Sequence, residues 1–226
     1  MTLLDKLKHI NIISGHYGCG KTTLSLNFAM ALAKEGHKVV LADFDVVNTY
    51  FRSGDYKEEL LKKGIEVIAP RFVNSNLDLP SIPAAMNSIF LKEDHTIIVD
   101  LGGDDAGAFA FGRFTDQLRQ RTDYEFLYVV NCYRALTHTS NEAVSILKEI
   151  EHVLKLNATG LINNSHIQHL TAKEDILKGY SYAREVSDQL SLPVILTAVP
   201  GFLNLEELLF GQIPDLFSVK TLLNPF

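Results

Sequence analysis

Short apolar runs alternate along this chain with stretches whose apolar positions recur every three to four residues. The first run, residues 9–14, reads His-Ile-Asn-Ile-Ile-Ser and predicts a buried strand, while residues 23–35 place Leu24, Phe28, Ala31 and Leu32 on one helical face. Further strand-like runs occupy residues 38–43, 65–69, 96–100, 124–131, 158–163 and 193–199, which makes seven expected strands. Helices are expected near residues 80–91, 106–119, 139–156 and 172–190. Thr171-Ala172-Lys173-Glu174 has the spacing of a capping box at the head of the last one, a hydroxyl and a carboxylate satisfying exposed helix N–H groups. Residues 44–63 are less regular and read as a loop plus a short helix. The alternation predicts an α/β fold, a mostly parallel sheet covered by helices on both faces, in one domain without repeats or low-complexity segments. In such sheets ligands gather at the carboxyl ends of the strands, so those ends carry the candidate chemistry.

After the first strand comes Gly15-His16-Tyr17-Gly18-Cys19-Gly20-Lys21-Thr22, which fits the phosphate-loop pattern G-x-x-x-x-G-K-[ST] in the strand–loop–helix setting that pattern requires. Glycines let backbone N–H groups turn toward phosphates, Lys21 brings a charge to the β/γ-phosphates, and the Thr22 hydroxyl is a ligand for Mg²⁺. Together with Thr23 these residues form the candidate nucleotide-binding stretch. The second strand ends in Asp43-Phe44-Asp45, two carboxylates that can face a metal and an attacking water, although Asp43 also reads as a helix or turn cap. Residues 95–103 form a buried strand ending in Asp100-Leu101-Gly102-Gly103, where Asp100 has the Walker B position of a Mg²⁺ ligand and the glycines permit close approach to a γ-phosphate. At the end of the sixth run, Asn163 offers an amide donor and acceptor to the edge of adenine, or is a plain turn residue.

Composition narrows the setting. The chain has 226 residues, long enough to bury a large core without disulfide staples, and its two cysteines, Cys19 and Cys132, are too few for a disulfide framework. No run approaches a membrane span and the first residues lack a signal peptide's apolar core, so a cytoplasmic protein without membrane attachment is expected. A net charge of −6 argues against a broad nucleic-acid surface. His166 and His169 lie close together without a Cys or carboxylate cluster and read as solvated loop residues. A guanine motif is absent: Ala172-Lys173-Glu174-Asp175 has the Lys and Asp but the wrong first residue.

The phosphate loop, Asp-x-Asp, Val-Asp-x-Gly-Gly and late Asn resemble the MinD/ParA/ArsA and nitrogenase iron protein group of P-loop ATPases. The resemblance implies a three-layer P-loop NTPase fold with a seven- or eight-stranded, mainly parallel sheet. It also implies ATP with Mg²⁺ and an ATP-dependent homodimer acting as a switch on a client protein. Carried over, Lys21 and Asp45 are the catalytic candidates, with Asp45 orienting the hydrolytic water; Thr22, Asp45 and Asp100 are the metal candidates. Asn163 and Pro200 would lie beside the base. One position departs from the group: its signature lysine, second in the loop, is here His16, a weaker and shorter substitute for an ammonium. Charge of the arginine-finger type is worth roughly 10³ to 10⁵ in turnover, so slow hydrolysis is expected unless Arg52, Arg113 or Arg134 compensates. Small-molecule kinases or ligases of the dethiobiotin and cobyrinate type share this sheet and loop and remain the alternative, with a metal-insertion GTPase behind them.

Overall fold

The computed structural model describes residues 6–44, 57–69, 84–103, 105–203 and 211–220. Eight strands form one sheet: β1 (Ile10–Ser14), β2 (Val39–Phe44), β3 (Ile65–Ile68), β4 (Thr96–Leu101), β5 (Tyr124–Val130), β6 (Gly160–Asn163), β7 (Val194–Pro200) and β8 (Leu216–Val219). Their order is β3-β2-β4-β1-β5-β6-β7-β8, and every neighbouring pair is parallel. Seven strands fall where the apolar runs place them. The eighth, Leu216-Phe217-Ser218-Val219, escapes the pattern because only Val219 is buried at this end of the sheet order.

The helices are α1 (Lys21–Lys34), α2 (Lys57–Lys62), α3 (Asp105–Gly112), α4 (Thr115–Arg119), α5 (Ser140–Leu154) and α6 (Lys173–Leu190). The single helix expected over residues 106–119 is two, because Thr115 Oγ1 donates to the Gly112 carbonyl at 2.7 Å and closes α3 with a side chain. Of the helix expected over residues 80–91, the described part, Ala84–Leu91, is a 3₁₀ segment. The capping box expected at Thr171 is also corrected. Thr171 Oγ1 donates to Gln168 O at 2.6 Å in the preceding turn; Ala172 is the cap residue of α6, its N–H held by Asp175 at 2.8 Å. The reciprocal box stands instead at α5, where the Thr139 hydroxyl accepts from Glu142 N–H and Glu142 accepts from Thr139 N–H.

Side chains alternate along each strand, and the two faces fill separate cores. Val40, Ala42 and Phe44 of β2 join Tyr128, Phe111 and Leu147 on the face covered by α3 to α6, whereas Val39 and Leu41 join Leu24, Phe28 and Leu60 on the face covered by α1 and α2. Phe44 closes β2 against α3: its ring meets Phe111 edge-on at 5.1 Å and Phe114 at 5.7 Å. Edge-to-face pairs add about 0.5–1.5 kcal/mol each beyond burial, which holds the end of β2 against the helical layer.

Candidate functional site

Between β1 and α1 the backbone turns sharply at glycines that a side chain cannot replace. Gly15 has φ 155°, and a Cβ there would stand 2.6 Å from the Val129 carbonyl and 2.9 Å from Cys19 Sγ. Gly20, at φ 96°, is the cap residue of α1, and its carbonyl accepts the first helical bond from Leu24 N–H at 3.0 Å. Exposed N–H groups at such a helix start form an anion cradle. The His16 carbonyl turns back over the loop, accepting from Cys19 N–H and, at 3.2 Å, from the Lys21 ammonium. Lys21 and Thr22 are buried at the head of α1. Cys19 is sealed, and burial pushes its thiol pKa up, which leaves packing rather than nucleophilic chemistry as its role.

Asp100 is fully buried near the end of β4, in register with Ile13 on one side and with Asp43 on the other. Its Oδ1 accepts a hydrogen bond from Ser25 Oγ at 3.3 Å, which ties the second turn of α1 to the sheet. Just beyond, Gly103 leans on the phosphate loop: a Cβ on it would overlap the Gly15 carbonyl. The loop after β4 therefore touches the loop expected to hold phosphate. Oxygen donors of this kind, a hydroxyl and one or two carboxylates, suit Mg²⁺, which keeps most of its shell for water and phosphate. Among the described residues no group of three or more His, Cys, Asp or Glu side chains could hold a metal ion. Asp45 lies outside the described residues, as do Arg52 and Asp104.

On the other side of the loop a narrow cavity of about 50 Å³ is bounded by Gly20, Thr23, Arg134, Asn164, His166 and Pro200. Pro200 and Thr23, two of the residues expected from sequence to bind nucleotide, both line it. Asn163 does not: it is wholly buried, its Nδ2 donating to Thr197 Oγ1 at 3.4 Å and its Oδ1 accepting from Ser165 N–H at 3.1 Å. The amide that reaches the cavity is its neighbour Asn164, which donates to Cys19 O at 2.7 Å and accepts from His166 Nε2 at 3.0 Å. Arg134 follows β5 and brings its Nε within 3.9 Å of the Cβ position at Gly18. Arg113 instead lies over the Phe114 ring at 4.9 Å. His16 does not line this cavity. Its Nδ1 donates to the Tyr17 carbonyl at 2.9 Å, and its imidazole borders a separate hollow of about 220 Å³ with Gly103, Leu136, Ile146 and Glu149.

Residues 10–195 match the model of the CobQ/CobB/MinD/ParA nucleotide binding domain. The chain belongs to that family. Among relatives of this CobQ/CobB/MinD/ParA domain, the tyrosine-protein kinase CpsD of Streptococcus pneumoniae is 25% identical over 201 residues, 88% of this chain and 83% of the kinase. The cytosolic Fe-S cluster assembly factor NUBP2 homolog of Culex quinquefasciatus is 51% identical, but over 45 residues only, 20% of this chain and 18% of that protein. In structure the domain is similar to chloroplast FtsY from Physcomitrella patens, with a TM-score of 0.56, 21% identity, and coverage of 83% of this chain and 57% of that one. FtsY from Thermotoga maritima gives 0.55 at 20% identity, covering 84% and 61%. These likenesses establish a shared α/β P-loop fold, and the chain spans a little over half the length of the FtsY chains. No helix among the described residues is long and apolar enough to cross a membrane.

Ser25 and Asn164 were not singled out from sequence, and His166, expected to be a solvated loop residue, is instead partly buried with its Nε2 3.0 Å from Asn164 Oδ1. Ser25 sits one turn beyond the motif, on the helical face that Thr22 begins, and that spacing is a usable signal. Asn164 is the first residue beyond β6, and which of the two neighbouring amides turns toward the phosphate loop the sequence alone leaves open.

Proposed function

We propose that this domain binds ATP with Mg²⁺, hydrolyses it slowly, and uses the presence of the γ-phosphate as a switch on a protein client. The supporting observation is the contact of Gly103 with the Gly15 carbonyl. A terminal phosphate seated in the loop meets the backbone after β4, so its arrival and loss move the same segment. In this reading Lys21 exchanges the His16 carbonyl for β/γ-phosphate oxygens, and backbone N–H groups of residues 15–22 bind the rest. Thr22 and Asp100 would hold the Mg²⁺, which neutralises phosphate charge. Ser25 keeps the Asp100 carboxylate oriented. Asp45, next in sequence after β2, orients the attacking water.

The base is adenine in this proposal. Asp175, the acid of the incomplete guanine motif, is occupied by Ala172 N–H and the Tyr133 hydroxyl. Arg134, at the phosphate loop, takes over part of the role of the lysine that His16 replaces. Calorimetric titration of the chain with Mg-ATP and Mg-GTP tests the reading. Mg-ATP should bind more tightly, and Lys21→Ala should lose most of that affinity while its melting temperature stays near that of the unmutated protein. Tighter GTP binding, or unchanged affinity in Lys21→Ala, would overturn it.

The hollow between α3 and α5 favours a second reading, because it opens beside His16 and Gly103, where the terminal phosphate of a bound nucleotide would lie. Phosphoryl transfer to an acceptor, the activity named for CpsD, would use such a space. Free phosphate released in equal amount to ADP supports the switch; ADP without phosphate supports transfer. The cluster-assembly role named for NUBP2 is not carried over, since that match is short and both cysteines are buried.

A further inference from the structure

A line of hydrogen bonds runs from the loop after β6 into the phosphate loop, and its polarity is fixed at every link. The Cys19 carbonyl can only accept, so the Asn164 atom 2.7 Å from it is the amide nitrogen. Asn164 Oδ1 consequently faces His166 Nε2 at 3.0 Å, and being an acceptor it requires a proton on that nitrogen. At the far side of the ring, Gln168 N–H, which can only donate, approaches His166 Nδ1 at 3.3 Å, so Nδ1 is bare. The imidazole is neutral, as the Nε2–H tautomer. Its surroundings agree: burial, and after it the charge of Arg134, hold its pKa down to about 4.

We infer that His166 is a positioning residue for phosphate binding: it holds Asn164 against the Cys19 carbonyl and thereby aims the Gly20 N–H into the phosphate cradle. The geometry of the peptide unit makes the connection. In a planar trans peptide the C=O and the N–H point in opposite directions, so pinning Cys19 O toward Asn164 turns the Gly20 N–H to the other side of the loop. That peptide is the entrance to α1, where an N–H donor to an anion is worth most. There is no slack in the arrangement, because a Cβ on Gly20 would overlap Asn164 Nδ2. His166 thus acts on the phosphates from the loop that flanks the proposed base site, through one side chain and one carbonyl. The inference rests on the nucleotide reading given above.

The test uses the full chain titrated with Mg-ATP and with magnesium tripolyphosphate, which has the phosphates but no base. His166→Leu should weaken both ligands by a similar factor, roughly tenfold, the scale of one misdirected donor. His166→Gln should return both to within about threefold, since its amide nitrogen can donate from the position of Nε2. If His166→Leu weakens ATP alone, the residue contacts the base and the inference falls. If both ligands bind the variant as well as the unmutated chain, the inference falls while the nucleotide reading stands; if the unmutated chain binds neither, the nucleotide reading itself has failed. Nitrogen-15 spectra of the unmutated protein read the tautomer independently of binding: Nε2 protonated and Nδ1 bare is expected, and the opposite tautomer overturns the relay.

Discussion

Asp100 and Ser25 show how much of this site is decided by single side chains. The carboxylate is fully buried beside Asp43, and Ser25 Oγ reaches it at 3.3 Å, so one lost charge there changes what the pair of strands can hold. Asp100→Asn should bind nucleotide with a weakened dependence on Mg²⁺ and a lower turnover, read by titrating MgCl₂ at fixed ATP in a phosphate-release assay. His166 carries a separate, pH-linked expectation. Its pKa falls from the ordinary 6.5 to about 4 on folding, so between those values the unfolded chain holds a proton that the folded one does not. Stability contributed by the neutral ring is therefore complete above pH 6.5 and is lost as the pH falls toward 4. Urea melts at about pH 7 and about pH 5 should show a larger loss in the unmutated protein than in His166→Gln, because Gln does not titrate. The phosphate-loop residues were legible because their order is dictated by phosphate chemistry. The choice between Asn163 and Asn164 was not, since it depends on β6 ending at Asn163, which is held in register between Val130 and Thr197, and on Asn164 lying in the loop beyond it.

Elements were legible where a long apolar rhythm defined them and blurred where ends or short edges did. α5 is a clear case: Ala143, Leu147, Ile150 and Leu154 lie one helical turn apart and face the core, and Thr139 with Glu142 closes the start. Thr139→Ala should cost about 1 kcal/mol, since the hydroxyl is the acceptor for the Glu142 N–H, and a shift in the urea midpoint with unchanged slope measures it. The same substitution at Thr171, where the spacing also reads as a box, removes a turn contact and leaves the Asp175 carboxylate capping α6. The break between α3 and α4 and the short strand β8 depend on a side chain closing a helix and on an edge pairing. Neither leaves a periodic trace.

For the whole molecule, the alternation of runs was enough to predict a parallel sheet between two helical layers, while strand order waited on the structure because only β-strand pairing fixes it. That order puts the phosphate loop, the Gly102–Gly103 turn and the loop after β5 at the carboxyl ends of three neighbouring interior strands, where the ATP-dependent homodimer implied by the family resemblance would close. Asp45→Asn, which should retain nucleotide while slowing its hydrolysis, should accumulate such a dimer; light scattering with and without ATP reads it, and a monomer in both conditions would favour the phosphoryl-transfer alternative. β1 has a further consequence of its central place. It is made first but is flanked by β4, residues 96–101, and β5, residues 124–130. During synthesis Ile10, Ile12 and Ile13 must wait for their first strand partner until residues 96–101 have left the ribosome and for the second until residues 124–130 have, so the apolar strand that anchors the phosphate loop spends a long time in need of shelter from other chains.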